Sequence, residues 1–80
     1  VRIRALFFAS YAEALGRDGT ALELPEGATV SDALAAVRAL RGAERLPPSP
    51  MVAVNREYAR LDTCLHDGDE VAFVPPVAGG

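Results

Sequence analysis

The chain has 80 residues, 50% hydrophobic and 24% charged, which is room for one small globular domain with a thin core. Eight arginines against eleven carboxylates leave a net charge of −3, so the clustered cations that nucleic acid requires are lacking, and no apolar run reaches the roughly 20 residues of a membrane span. The single cysteine, Cys64, excludes an intrachain disulfide and a multi-cysteine zinc site and fits a reducing cytoplasm, and no basic, apolar leader opens the chain, so no secretory signal is expected.

Residues 1–8 (VRIRALFF) alternate, which predicts a strand with Val1, Ile3, Ala5 and Phe7 on one face and Arg2, Arg4, Leu6 and Phe8 on the other. Residues 9–15 (ASYAEAL) favour a short helix, with Gly16 as its stop and Asp18-Gly19 as a turn. Residues 20–24 (TALEL) alternate again, with Ala21 and Glu23 opposite Leu22 and Leu24, and Pro25-Glu26-Gly27 closes that strand.

The main helix is predicted to start at Thr29, spaced with Asp32 as a capping box. Val30, Ala33, Leu34, Val37 and Leu40 form its apolar stripe, Arg41 continues the spacing, and Arg38 and Arg41 suit the negative end of the helix dipole. Gly42 is expected to end it, and residues 43–50 (AERLPPSP) read as a Pro-rich connection, neither helix interior nor central strand. Residues 51–55 (MVAVN) form a short strand, Asn55-Arg56-Glu57 a turn, and Tyr58 and Ala59 pair back. Asp67-Gly68 turns the chain once more, and residues 70–74 (EVAFV) alternate Val71 and Phe73 against Ala72 and Val74.

This order predicts a two-layer α+β domain over residues 1–74: a mixed, grasp-like sheet of four to five strands, one main helix and a short first helix, with the first and last strands as central neighbours. An extended tail, residues 75–80, follows. Pro75 and Pro76 cannot continue a ladder and favour polyproline II, Val77 and Ala78 carry the chain onward, and Gly79 and Gly80 remove every Cβ. Six extended residues reach about 20 Å, enough to present a terminal carboxylate inside another protein's active site.

The run Asp67-Gly68-Asp69-Glu70-Val71-Ala72-Phe73-Val74-Pro75-Pro76-Val77-Ala78-Gly79-Gly80 resembles the C-terminal signature of the molybdopterin synthase small-subunit family, the MoaD-type sulfur carriers of the MoaD/ThiS ubiquitin-like group. Leu6-Phe7-Phe8-Ala9 with Glu13 and Gly16 resembles the family's start, Thr29-Val30 with Leu34 its central helix, and Val52-Ala53-Val54-Asn55 its third strand. The resemblance implies a ubiquitin-like β-grasp fold and a sulfur-donor subunit within a sulfurtransferase complex. It implies that an E1-like adenylyltransferase (MoeB-type) uses ATP to adenylate the Gly80 carboxylate, which then becomes a thiocarboxylate. The tail would enter the molybdopterin synthase large subunit (MoaE-type) and give its sulfur to cyclic pyranopterin monophosphate, in a heterotetramer of two small and two large subunits. The reactive atom would belong to Gly80, Gly79 would give clearance, and this chain would bind no cofactor itself. The partners would be those two proteins, not nucleic acid or a membrane.

Leu6 and Phe8 share the face that Arg2 and Arg4 mark as solvent-exposed, so with neighbouring first and last strands Leu6, Phe8, Ala72 and Val74 form an apolar patch beside the tail root. The resemblance places partner contacts at Phe8, Tyr58 and Val74, and the tail positions Pro75, Pro76, Val77 and Ala78 belong to the same contact. Cys64 reads as a small, partly buried residue and His66 as a surface turn residue with no paired nucleophile. Asp67, Asp69 and Glu70 are too few for a metal site, and they are the acidic group available to basic residues of an activating enzyme. Two other readings share the Gly-Gly end: a sulfur carrier for thiazole synthesis or tRNA thiolation, and a ubiquitin-like protein modifier that forms isopeptide bonds through Gly80. The absence of lysine would prevent a modifier from conjugating to itself, although GC-rich codon usage accounts for it equally well.

Overall fold

A computed structural model of the chain describes residues 1–46 and 50–75. Its elements are β1 (Arg2–Phe7), α1 (Ser10–Leu15), β2 (Gly19–Glu23), α2 (Val30–Arg38), a 3₁₀ turn (Ala43–Arg45), β3 (Met51–Val54), β4 (Glu57–Tyr58) and β5 (Glu70–Val74). The five strands form one sheet in the order β2-β1-β5-β3-β4. β1 and β5 are parallel, as the predicted central pair, and the other three pairings are antiparallel.

The period-two pattern decides which face of the sheet is covered. Ile3, Ala5 and Phe7 of β1, Val52 of β3 and Val71 and Phe73 of β5 are buried against Tyr11 and Leu15 of α1 and Val30, Ala33, Leu34 and Val37 of α2. Phe7 and Phe73 meet as a tilted pair with centroids 6.0 Å apart. Each fully buried side chain of this size contributes about 1.5–3 kcal/mol, and apart from Tyr11 with its hydroxyl no buried side chain among the described residues is polar or charged. Burial pushes the Tyr11 phenol above its ordinary range, with Arg38 opposing the shift.

Nine residues make a marginal helix in isolation, so α2 depends on its ends and its packed face. The Thr29–Asp32 capping box forms as predicted, the Thr29 amide donating to the Asp32 carboxylate at 2.8 Å. The next two helical amides, of Val30 and Ser31, donate to the carbonyls of Thr63 and Leu61 at 3.0 and 2.9 Å. This docks the 59–66 loop on the helix and sends Leu65 into the core.

Several expectations are corrected. α2 ends at Arg38 rather than at Gly42, because the Ala39 and Leu40 amides already bond to Ala36 and Val37 in tighter 3₁₀ fashion. Arg41 therefore lies beyond the helix, exposed, and Gly42 instead starts the 3₁₀ turn with φ 91°. The 43–50 connection thus holds regular structure before its prolines; Pro47 and Pro48 lie outside the described residues. Cys64 is exposed rather than partly buried, since its bridge to Thr29 is made by backbone. The β3–β4 hairpin turns on Asn55 and Arg56, with φ 51° and 73°, so Glu57 belongs to β4 and not to the turn. β1 stops at Phe7, one residue earlier than expected.

Candidate functional site

The sheet face opposite the helices is open, and its registers arrange the side chains in rows. One row runs Leu6–Ala72–Ala53–Tyr58 across β1, β5, β3 and β4. The next row towards the end of β5 holds Val74 opposite Met51, with Phe8 on the β1 side, where its amide donates to the Phe73 carbonyl at 3.2 Å. Phe8 and Tyr58 are 47% and 75% exposed, and the two small alanines of the first row lie between Leu6 and Tyr58.

The opposite end of the same face is charged. Arg4 lies between Ala21 and Glu70 by register, and Arg2 pairs with Glu23 at 3.6 Å. The apolar area is therefore confined to the end where β5 leads into Pro75. Leu6, Phe8, Tyr58, Val74 and Ala72 come together on this face, and half-buried Pro75 follows directly. Pro76, Val77, Ala78, Gly79 and Gly80 lie outside the described residues.

Met51 and Ala53 complete the patch and were not singled out from the sequence. Their alternation with Val52 and Val54 was visible, but only the β3–β5 register shows which pair faces outward. Leu61 is 56% exposed and belongs elsewhere: it lines a groove of about 520 Å³ beside α2, with Leu34, Arg38 and Pro50.

The acidic residues of the 66–70 turn find partners within the chain. Asp67 accepts the Arg2 amide at 2.7 Å, and Asp69 accepts the His66 amide at 2.7 Å and the Asn55 side-chain amide at 3.0 Å. These bonds, the His66 amide first and Asn55 second, hold the Asp69 carboxyl below the usual carboxylate range. Asp67 and Asp69 thus brace the start of β5 instead of forming a free acidic group. No grouping of three or more His, Cys, Asp or Glu among the described residues has the arrangement of a metal site.

The ThiS family model matches residues 5–80. The chain belongs to the ThiS family. It is 41% identical over 81 residues to the molybdopterin synthase sulfur carrier subunit of Escherichia coli, covering 98% of this chain and 99% of that one. It is 37% identical over 83 residues to the protein of the same description from Chlamydomonas reinhardtii, covering 100% of both. The crystal structure of small archaeal modifier protein 1 from Haloferax volcanii superimposes with a TM-score of 0.83 at 28% identity, covering 96% of this chain and 99% of that one. The five-stranded mixed sheet with one main helix is thus the ubiquitin-like β-grasp arrangement. No helix among the described residues is long and apolar enough to cross a membrane.

Proposed function

We propose that the chain is the sulfur-carrier small subunit of a molybdopterin synthase. The observation that carries this reading is the apolar end of the open sheet face, set where β5 leads towards Gly80. The names of the family relatives agree with it.

In this reading the Gly80 carboxylate attacks the α-phosphate of ATP on an E1-like enzyme and releases pyrophosphate. A carboxylate is a poor electrophile, and the acyl-adenylate supplies the leaving group it lacks. A sulfide nucleophile then displaces AMP and leaves a thiocarboxylate. The thiocarboxylate is carried into the large subunit, where its sulfur bonds to cyclic pyranopterin monophosphate in place of an oxygen substituent, and water then cleaves the acyl C–S bond and returns the Gly80 carboxylate. The β-grasp body binds through Leu6, Phe8, Tyr58, Val74 and Pro75 and spends that binding on placing the tail, Pro76 to Gly80, at the reacting atoms.

The test is the intact mass of the untagged chain purified from its own cells. A gain equal to replacing one oxygen by sulfur, lost when Gly80 is deleted, supports the carrier. A plain carboxylate together with higher-mass conjugates that depend on Gly80 supports the second reading, a protein modifier. The likeness to the archaeal modifier favours that second reading, and the absence of lysine is compatible with it.

A further inference from the structure

We propose that Ala9 is a positioning residue: its backbone conformation sets Phe8 on the apolar face and closes the β1–β5 ladder at the root of the tail. Ala9 has φ 50° and ψ −125°, and the Tyr11 amide donates to the Phe8 carbonyl at 3.0 Å. Phe8-Ala9-Ser10-Tyr11 is therefore a type II′ turn with alanine at the position that ordinarily demands glycine. An L-residue is sterically disfavoured there and persists only where its surroundings over-determine it.

The surroundings do so from both sides. Phe8 is held by its amide on the Phe73 carbonyl at 3.2 Å, Glu13 bonds back to the Ala9 carbonyl at 3.1 Å, and Tyr11 is 1% exposed. The turn takes the chain out of β1 just after Phe8. That leaves Phe8 one step beyond the Phe7–Phe73 pair, on the Val74 side, and makes its amide the bond to β5 nearest Pro75. With φ below zero at residue 9 the chain would leave β1 in another direction, and the contact of Phe8 with this row would be lost. Ala9 itself is exposed, so a larger side chain meets no packing obstacle there, and any loss reports the backbone conformation.

This rests on the reading above, in which the face receives the large subunit. The test compares Ala9→Gly, Ala9→Val and a synthetic chain with D-alanine at residue 9, each by melting, by hydrogen exchange of the Phe8 amide, and by affinity for the large subunit from the same organism. D-Alanine favours this region, so the melting midpoint should rise by about 4–8 °C with binding retained. Ala9→Gly should keep binding and melt no lower, where the same change at an ordinary exposed site lowers the midpoint. Ala9→Val should speed Phe8 exchange and weaken binding about tenfold, with the glycine and D-alanine chains as the rescue. A D-alanine chain that melts lower, or an Ala9→Val protein with wild-type Phe8 exchange and affinity, overturns the inference. If the wild-type chain does not bind the large subunit, the functional reading falls, and the melting and exchange results still decide the role of Ala9.

Discussion

Asn55 reaches across the sheet to Asp69: its side-chain Nδ2 donates to the Asp69 carboxylate at 3.0 Å while its side-chain Oδ1 accepts the Glu70 amide at the same distance. One turn residue thereby ties the β3–β4 hairpin to the start of β5. Asn55 has φ 51°, a region asparagine enters more readily than most residues, so one residue serves both the hairpin turn and the clasp.

The clasp predicts acid sensitivity. The folded-state carboxyl of Asp69 lies below its ordinary value, so its contribution is complete above the ordinary carboxylate range and is lost as pH falls through the lowered value. Asp69→Asn should cost about 1–2 kcal/mol at neutral pH, because charge-assisted bonds are weakened. Urea unfolding from neutral to strongly acidic pH should show the difference between the two proteins shrinking as the medium becomes acid. A constant difference would remove Asp69 from the acid response.

Two glycines with positive φ separate strain from collision. A Cβ on Gly16 would meet nothing within 4 Å, so Gly16→Ala should cost about 1 kcal/mol for conformation alone. A Cβ on Gly42 would collide with the Ala14 carbonyl oxygen, where the 3₁₀ turn rests on α1. Gly42→Ala should therefore cost about 2–3 kcal/mol by denaturant unfolding. Equal costs would show that the α1 contact yields.

Phe8→Asp should weaken binding of the large subunit about 30-fold or more, the usual scale for an exposed aromatic anchor, with the melting midpoint little changed. Leu61→Asp is the matched control, since Leu61 is also exposed but lies in the α2 groove. Titration calorimetry on both variants checks this. Wild-type affinity for Phe8→Asp would show that the apolar face is not the contact.

Deleting Gly80 should abolish sulfur transfer and leave the unfolding midpoint in place, because the buried core of the described residues runs from Ile3 to Phe73. Transfer at the wild-type rate by the shortened chain would sink the proposed mechanism.

Much of the fold is local physics and was legible in residue order. Alternation in residues 1–8 and 70–74 fixed which side chains of β1 and β5 go inward, and the spacing of Thr29 and Asp32 marked the start of α2. Both depend on neighbours a few residues apart, whose geometry the period of a strand or helix dictates. Three features needed the assembled chain. Met51 and Ala53 joined the apolar face only through register with β5, since alternation names two faces without saying which one is covered. Asp67 and Asp69 looked like free charge because two of the groups they accept, on Arg2 and Asn55, are 65 and 14 residues away. Ala9 carries no sequence signal for a left-handed turn; packing of Tyr11 and the bond from Phe8 to Phe73 impose a conformation its own propensity opposes.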